Sequence, residues 1–157
     1  MEFQDFLQCL SQTLNLPELA NNDDFHASFT ADGIPVHLDF ISEYSALLLY
    51  CDLFDLPPTT DGKLIEKLLE LNYLFEGTGG STIGKQPGTN KLMLVDKITR
   101  FEYADWDHII RTIESLVNSA ERIINLLENY RSFLGEAPRS VQKESPSSND
   151  VFARINA

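Results

Sequence analysis

Residues 68–84, Leu-Leu-Glu-Leu-Asn-Tyr-Leu-Phe-Glu-Gly-Thr-Gly-Gly-Ser-Thr-Ile-Gly, constrain this chain more than any other stretch. An apolar helical pattern runs into Gly77, Gly79 and Gly80, and a short Thr/Ile segment follows. Glycine accepts positive φ without a Cβ clash, so the cluster predicts a helix stop and a reversal of the chain. Three strand-like runs precede the stretch, and one further strand and one long helix follow it. It contains no nucleophile, metal ligand or acid–base pair, which makes its role architectural.

Upstream, Phe3, Phe6, Leu7, Leu10 and Leu14 recur at helical spacing over 2–14. Pro17 closes that region, and Asn21-Asn22-Asp23-Asp24 is a turn cluster. Phe25, Ala27 and Phe29 then alternate with His26, Ser28 and Thr30, and Val36, Leu38 and Phe40 alternate with His37 and Asp39. Asp32-Gly33 between the two runs is a hairpin signal. Ala46–Cys51 is apolar on both faces and predicts a central strand covered on two sides. Pro57-Pro58 breaks the chain, and Thr60 or Asp61 can cap a helix over 61–75. Its Leu64, Ile65, Leu68, Leu69, Leu71, Leu74 and Phe75 exceed one narrow stripe. Such a helix needs a second cover beyond its own sheet, and a partner subunit is the simplest one.

Strands over 81–85 and 91–97 are joined by the hairpin loop 86–90. Asp105 can cap a last helix over 105–134, in which Trp106, Ile109, Ile113, Leu116, Val117, Ala120, Ile123 and Leu127 recur at three and four. At about 45 Å it outruns a small sheet. Gly135 is a natural stop. Residues 135–157, rich in Ser, Pro, Asn and charge with scattered Val141, Val151, Phe152 and Ile155, read as a flexible tail behind a domain spanning 1–134. The order α-β-β-β-α-β-β-α predicts an α+β domain with three helices and a five-stranded, mostly antiparallel twisted sheet.

A chain of 157 residues with 43% hydrophobic content can bury a real core. Its net charge of −12 argues against nucleic acid or an anionic membrane as partner. The charge is uneven, with eleven Asp or Glu and no Lys or Arg in residues 1–62. Solvation explains that asymmetry, as does suppression of self-association around a sticky surface or steering of a basic partner. Cys9 and Cys51 form no CxxC pair, and free thiols suggest a reducing compartment. No basic segment leads into an apolar run at the start, and no run reaches 18 apolar residues, so neither a secretory signal nor a membrane span is expected.

Gly79–Lys85 matches GxxxxGK, but a phosphate-binding loop needs a strand before it, a helix after it, and Ser or Thr beside the Lys. Here Gln86 follows the Lys, and Pro87-Gly88 forbids the helix. His26 and His37 can face each other across the first hairpin near Asp39. Two imidazoles and a carboxylate could in principle bind a metal, but cross-strand polar pairing on a solvated face is much the favoured explanation. His108 reads as a surface residue in the first turn of the last helix. No GxSxG or family-type Cys signature is present. Neither catalysis nor a cofactor is expected.

Taken in order, Leu48-Leu49-Tyr50, a helix ending Leu68-Leu69-Glu70-Leu71-Asn72, the segment Gly77–Gly84, a strand and a long terminal helix resemble the class I type III secretion chaperones, the Tir chaperone family. The likeness spans roughly residues 2–134. Its most specific part is Leu-Glu-x-Asn followed by a Gly-rich turn and a Thr-Ile-Gly strand. The resemblance implies a homodimer in the bacterial cytoplasm that binds the N-terminal segment of one or more secreted effectors and keeps it extended and export-competent. It implies no nucleotide and no membrane insertion, and it extends the partners to the ATPase of the secretion apparatus. Carried over from the family, dimer contacts fall on Leu68, Leu71, Phe75 and Ile83. Cargo contacts fall on Phe3, Phe6, Phe25, Phe29, Leu47 and Leu49. The rival reading is a non-enzymatic adaptor or regulatory domain of similar fold.

Overall fold

The computed structural model describes residues 2–16, 19, 25–57, 62–133 and 153–155, with backbone only for 131–133 and 153–155. Helix α1 spans Phe3–Thr13, and strands β1 (His26–Ala31), β2 (Ile34–Ile41) and β3 (Ala46–Asp55) follow. Helix α2 covers Gly62–Asn72 and tightens into a 3₁₀ turn at Tyr73–Phe75. Strands β4 (Thr82–Lys85) and β5 (Lys91–Thr99) lead to helix α3 (Trp106–Phe133), and a short β6 covers Ala153–Ile155. The predicted α-β-β-β-α-β-β-α order is present, with three helices and five antiparallel strands, to which β6 adds a sixth. Pro17, the 21–24 turn, Thr60, Asp61 and tail residues 135–152 and 156–157 lie outside the described residues.

The sheet runs β4-β5-β3-β2-β1-β6, with β3 central as its apolar run predicted. Asp32 (φ 50°) and Gly33 (φ 81°) both sit left-handed, the geometry a two-residue β1–β2 hairpin requires. In that hairpin His26 stands opposite Asp39 and Phe29 opposite Val36. The β3–β5 ladder slips between Asp52 and Phe54, a bulge that leaves both Leu53 and Phe54 buried.

One face of the sheet carries the core. Ala27, Phe29, Val36, Leu38, Leu47, Leu49, Cys51 and Leu94 are completely buried there. Against them pack Phe6 and Leu10 of α1 and Ile109, Leu116, Ala120, Ile123 and Leu127 of α3. Asp105 caps α3 as predicted, its Oδ2 accepting from the His108 N–H at 3.2 Å. Phe3, Phe6, Phe40, Phe101 and Trp106 form an aromatic cluster where α1 meets the start of α3; the Phe6 and Phe101 rings meet edge-on at 5.0 Å. The opposite face differs from expectation. Leu48 and Tyr50 of β3 are only half-buried there, and the His37 ring stacks on Tyr50. The apolar run correctly marks a central strand, but among the described residues only one of its sides is fully buried.

Burial divides the six residues assigned to cargo by resemblance. Phe3, Phe6, Phe29, Leu47 and Leu49 are at most 4% exposed and belong to the core. Phe29, Leu47 and Leu49 share the sheet face that α1 and α3 cover, and Phe3 and Phe6 stand on α1 itself. Phe25, just before β1 and 53% exposed, is the one of the six that remains at the surface.

Candidate binding surfaces

Three features of the sheet and α2 are positioned to bind another chain or to prevent it. The first is the outer stripe of α2. Leu64 and Leu68 turn inward and are buried, while Ile65, Leu69 and Tyr73 recur every four residues on the opposite side. Leu69, Tyr73 and Leu74 are each about two-thirds exposed, and Phe75 is half exposed. Leu74 (φ 50°) and Phe75 (φ 59°) take left-handed backbone, which costs a non-glycine residue about 1 kcal/mol or more. The turn they make carries the apolar stripe onward past the helix end. Of the four residues assigned to the dimer by resemblance, only Phe75 lies fully on this surface. Leu68 (5% exposed) and Ile83 (8%) sit beneath it, and Leu71 is half-buried.

The second feature is the β4 edge, which Asn72 closes. Its side-chain Nδ2 donates to the Ile83 carbonyl at 3.1 Å, and its Oδ1 accepts from the Ile83 N–H at 2.8 Å. One amide thus satisfies both backbone groups of the middle of a four-residue edge strand. The glycine turn makes this reach possible. A Cβ at Gly77 would come within 2.7 Å of the Leu71 backbone. Gly79 has φ +65°, and a Cβ there would lie 2.5 Å from Ser119 Oγ on α3. Arg122 of α3 donates to the Gly77 carbonyl at 3.4 Å and fixes the turn from outside. The Asn of the Leu-Glu-x-Asn pattern therefore has a physical task that sequence spacing alone did not reveal.

The third feature is the β1 edge. The Phe40 N–H donates to the Phe25 carbonyl at 2.8 Å, which sets the phase of the β1–β2 ladder. Antiparallel pairing alternates, so Ala27, Phe29 and Ala31 turn their backbone groups toward β2. His26, Ser28 and Thr30 then turn theirs outward. Strand β6 meets this edge in parallel, with Phe29, Thr30 and Ala31 opposite Ala153, Arg154 and Ile155.

The histidine cluster lies on the half-open face of the sheet. His26 Nδ1 pairs with Asp39 Oδ1 at 2.5 Å, and the Tyr50 hydroxyl donates to Asp39 Oδ2 at 2.8 Å. His37 stacks on Tyr50 with ring centroids 4.9 Å apart, and its Nε2 lies 3.7 Å from Asp52. Lys91 Nζ completes the chain at 3.3 Å from Asp52. Burial lowers the His37 pKa against the opposing pull of Asp52. Burial and then the hydrogen bond to Asp39 push the Tyr50 pKa up. The histidines and carboxylates pair across strands, and no group among the described residues could hold a metal ion. The GxxxxGK segment is a turn followed by β4, so no helix starts directly after it. Among the described residues no helix is long and apolar enough to cross a membrane.

The sequence profile of the Tir chaperone protein (CesT) family matches residues 5–123, a span that contains β1, α2 and β4 but not β6. This chain belongs to that family. No curated protein matches it significantly in sequence. Among solved structures, the ExsC–ExsE complex contains a chain with TM-score 0.66 and 22% identity, the match covering 81% of this chain and 97% of that one. The heterodimeric ExoU–SpcU complex from the type III secretion system of Pseudomonas aeruginosa gives 0.60 and 20%, covering 78% and 98%. The Yersinia pestis type III secretion chaperone SycH, in complex with a fragment of YscM2, gives 0.54 and 20%, covering 74% and 94%. At these identities the likeness establishes a shared fold.

Proposed function

We propose that this protein is a class I type III secretion chaperone that works as a homodimer in the bacterial cytoplasm. It binds the N-terminal segment of an effector and keeps it extended and competent for export. The observation that carries this reading is the family match, which spans residues 5–123. Two solved complexes of similar fold, one from a type III secretion system and one containing a type III secretion chaperone, support it. The geometry supports a division of labour between the two sides of the molecule.

The outer stripe of α2, with Ile65, Leu69, Tyr73, Leu74 and Phe75, is the dimer seam. Its occupant is a second copy, because a self-complementary apolar stripe closes on a twofold axis. This moves the seam outward from Leu68 and Ile83, which support it from below. Cargo enters at the other end of the sheet. An extended segment gains affinity from main-chain hydrogen bonds to a free edge and from pockets for alternate side chains. Asn72 denies the β4 edge to such a segment, whereas His26, Ser28 and Thr30 turn donors and acceptors out along β1. Phe25 stands beside that edge, with its ring 6.4 Å from Phe40, and offers an apolar anchor. The acidic first half of the chain favours a cargo segment carrying Lys or Arg.

Holding a peptide extended requires no bond to be made or broken, so the reading needs no catalytic residue, nucleotide or metal. Energy for unfolding and export falls to the ATPase of the secretion apparatus, on which a loaded chaperone would dock. Calorimetry with the effector segment tests this: burial of apolar surface predicts a clearly negative heat-capacity change, without nucleotide. A partner bound as a folded domain would point to an adaptor instead.

A further inference from the structure

The sequence reads 135–157 as a tail without a place in the fold, yet three of its residues stand in the sheet. Ala153, Arg154 and Ile155 extend β1 in parallel, opposite Phe29, Thr30 and Ala31. Val151, Phe152 and Ile155 make this the most apolar part of an otherwise polar segment. The edge they occupy is the one whose backbone groups at His26, Ser28 and Thr30 point outward. The opposite edge is already closed by Asn72. Both edges of this sheet are therefore covered by the chain itself, one through a side chain and one through a strand.

We propose that the C-terminal segment around Ala153–Ile155 is an intramolecular occupant of the cargo edge, which an incoming effector segment must displace. The proposal rests on the chaperone reading for what displaces the segment, but not for its presence on β1. Nineteen residues, 134–152, separate the end of α3 from β6. A linker of this length reaches across the domain and sustains an effective concentration on the order of millimolar. Three paired residues make few hydrogen bonds, so the contact is strong enough to cover an exposed edge against self-association and weak enough to yield to a longer strand. Such an occupant lowers the apparent affinity for any competing strand in proportion to the fraction of molecules in which the edge is free.

The test uses the full-length chain and its Ile155→Pro variant, which removes one backbone donor from β6 without touching the domain. Hydrogen exchange is read at single amides. The Thr30 amide should exchange at least several-fold faster in the variant, while those of Ala27 and Phe29, turned toward β2, keep their rates. An equal rate at Thr30 in the two proteins would overturn the proposal. A fluorescent synthetic peptide of residues 149–157 provides the second readout. It should bind the variant about tenfold more tightly than the wild type if nine molecules in ten have the edge occupied. Equal affinity for both would also overturn it. No effector enters either measurement, so their failure leaves the chaperone reading standing. Loss of effector binding with these results intact would remove only that reading.

Discussion

Replacing Asn72 with Ala tests how α2 and β4 are joined. The side chain makes two hydrogen bonds to one residue, at 2.8 and 3.1 Å, and both are partly buried. A typical intramolecular hydrogen bond contributes about 1 kcal/mol net, and a buried group left without a partner costs about 1–3 kcal/mol. Ile83 sits on a sheet edge, where water can reach part of what Asn72 leaves, so the lower end of that range applies. The expected loss is about 2 kcal/mol, equivalent to roughly 4–8 °C in Tm for a domain of this size. Asn72→Asp should do no better. Its carboxylate can accept from the Ile83 N–H but meets the Ile83 carbonyl with a second acceptor. Thermal unfolding followed by circular dichroism gives the first readout, and exchange of the Ile83 amide gives the second. Unchanged Tm together with an Ile83 amide that stays protected in Asn72→Ala would refute the reasoning. The opened β4 edge should also make the variant more prone to self-association.

Three other outcomes follow from the same structure. Leu69→Asp should give folded monomers by sedimentation at micromolar concentration, whereas Leu68→Asp should unfold the chain because its carboxylate would be buried without a partner; a wild type that sediments as a 17.8 kDa monomer would exclude the seam. Burial holds the His37 pKa below its ordinary 6.5, so the unfolded chain takes up this proton first as the pH falls; the contribution to stability is complete above pH 6.5 and is lost below it, and His37→Gln should flatten the fall in Tm between pH 7 and 5. Burial pushes the Cys51 thiol up to about 12 while Cys9 is exposed, so a thiol reagent at neutral pH should label Cys9 in the native protein and both residues in denaturant.

The order of elements was legible because each carries its own period. Phe25–Thr30 and Val36–Phe40 alternate, Asp32-Gly33 turns between them, and α3 repeats at three and four over its whole length. Periodicity marks an apolar face but does not say what covers it. Phe29, Leu47 and Leu49 alternate as a ligand-binding strand would, and only the tertiary path of α1 and α3 shows that this face is the core. The excess of leucine in α2 did indicate a second face needing cover, but not which residues form it. That division follows from the helix phase, which sends Leu64 and Leu68 inward and Ile65 and Leu69 outward. The task of Asn72 was hidden because its partner is a backbone eleven residues away, beyond a turn whose path depends on Gly77, Gly79 and Arg122. A short Val-Phe-Ala-Arg-Ile run in a polar tail is too weak a signal to place beside β1 without the sheet in view.

The measurement closest to the central claim is made on the protein purified from its own host with whatever it holds. Limited proteolysis of the complex followed by mass spectrometry identifies the part of the partner that is shielded. The shielded piece should be the N-terminal segment of a larger protein, retained without nucleotide and released as an unfolded peptide. A shielded piece that is a folded domain, or a complex that forms only with nucleotide, would contradict it.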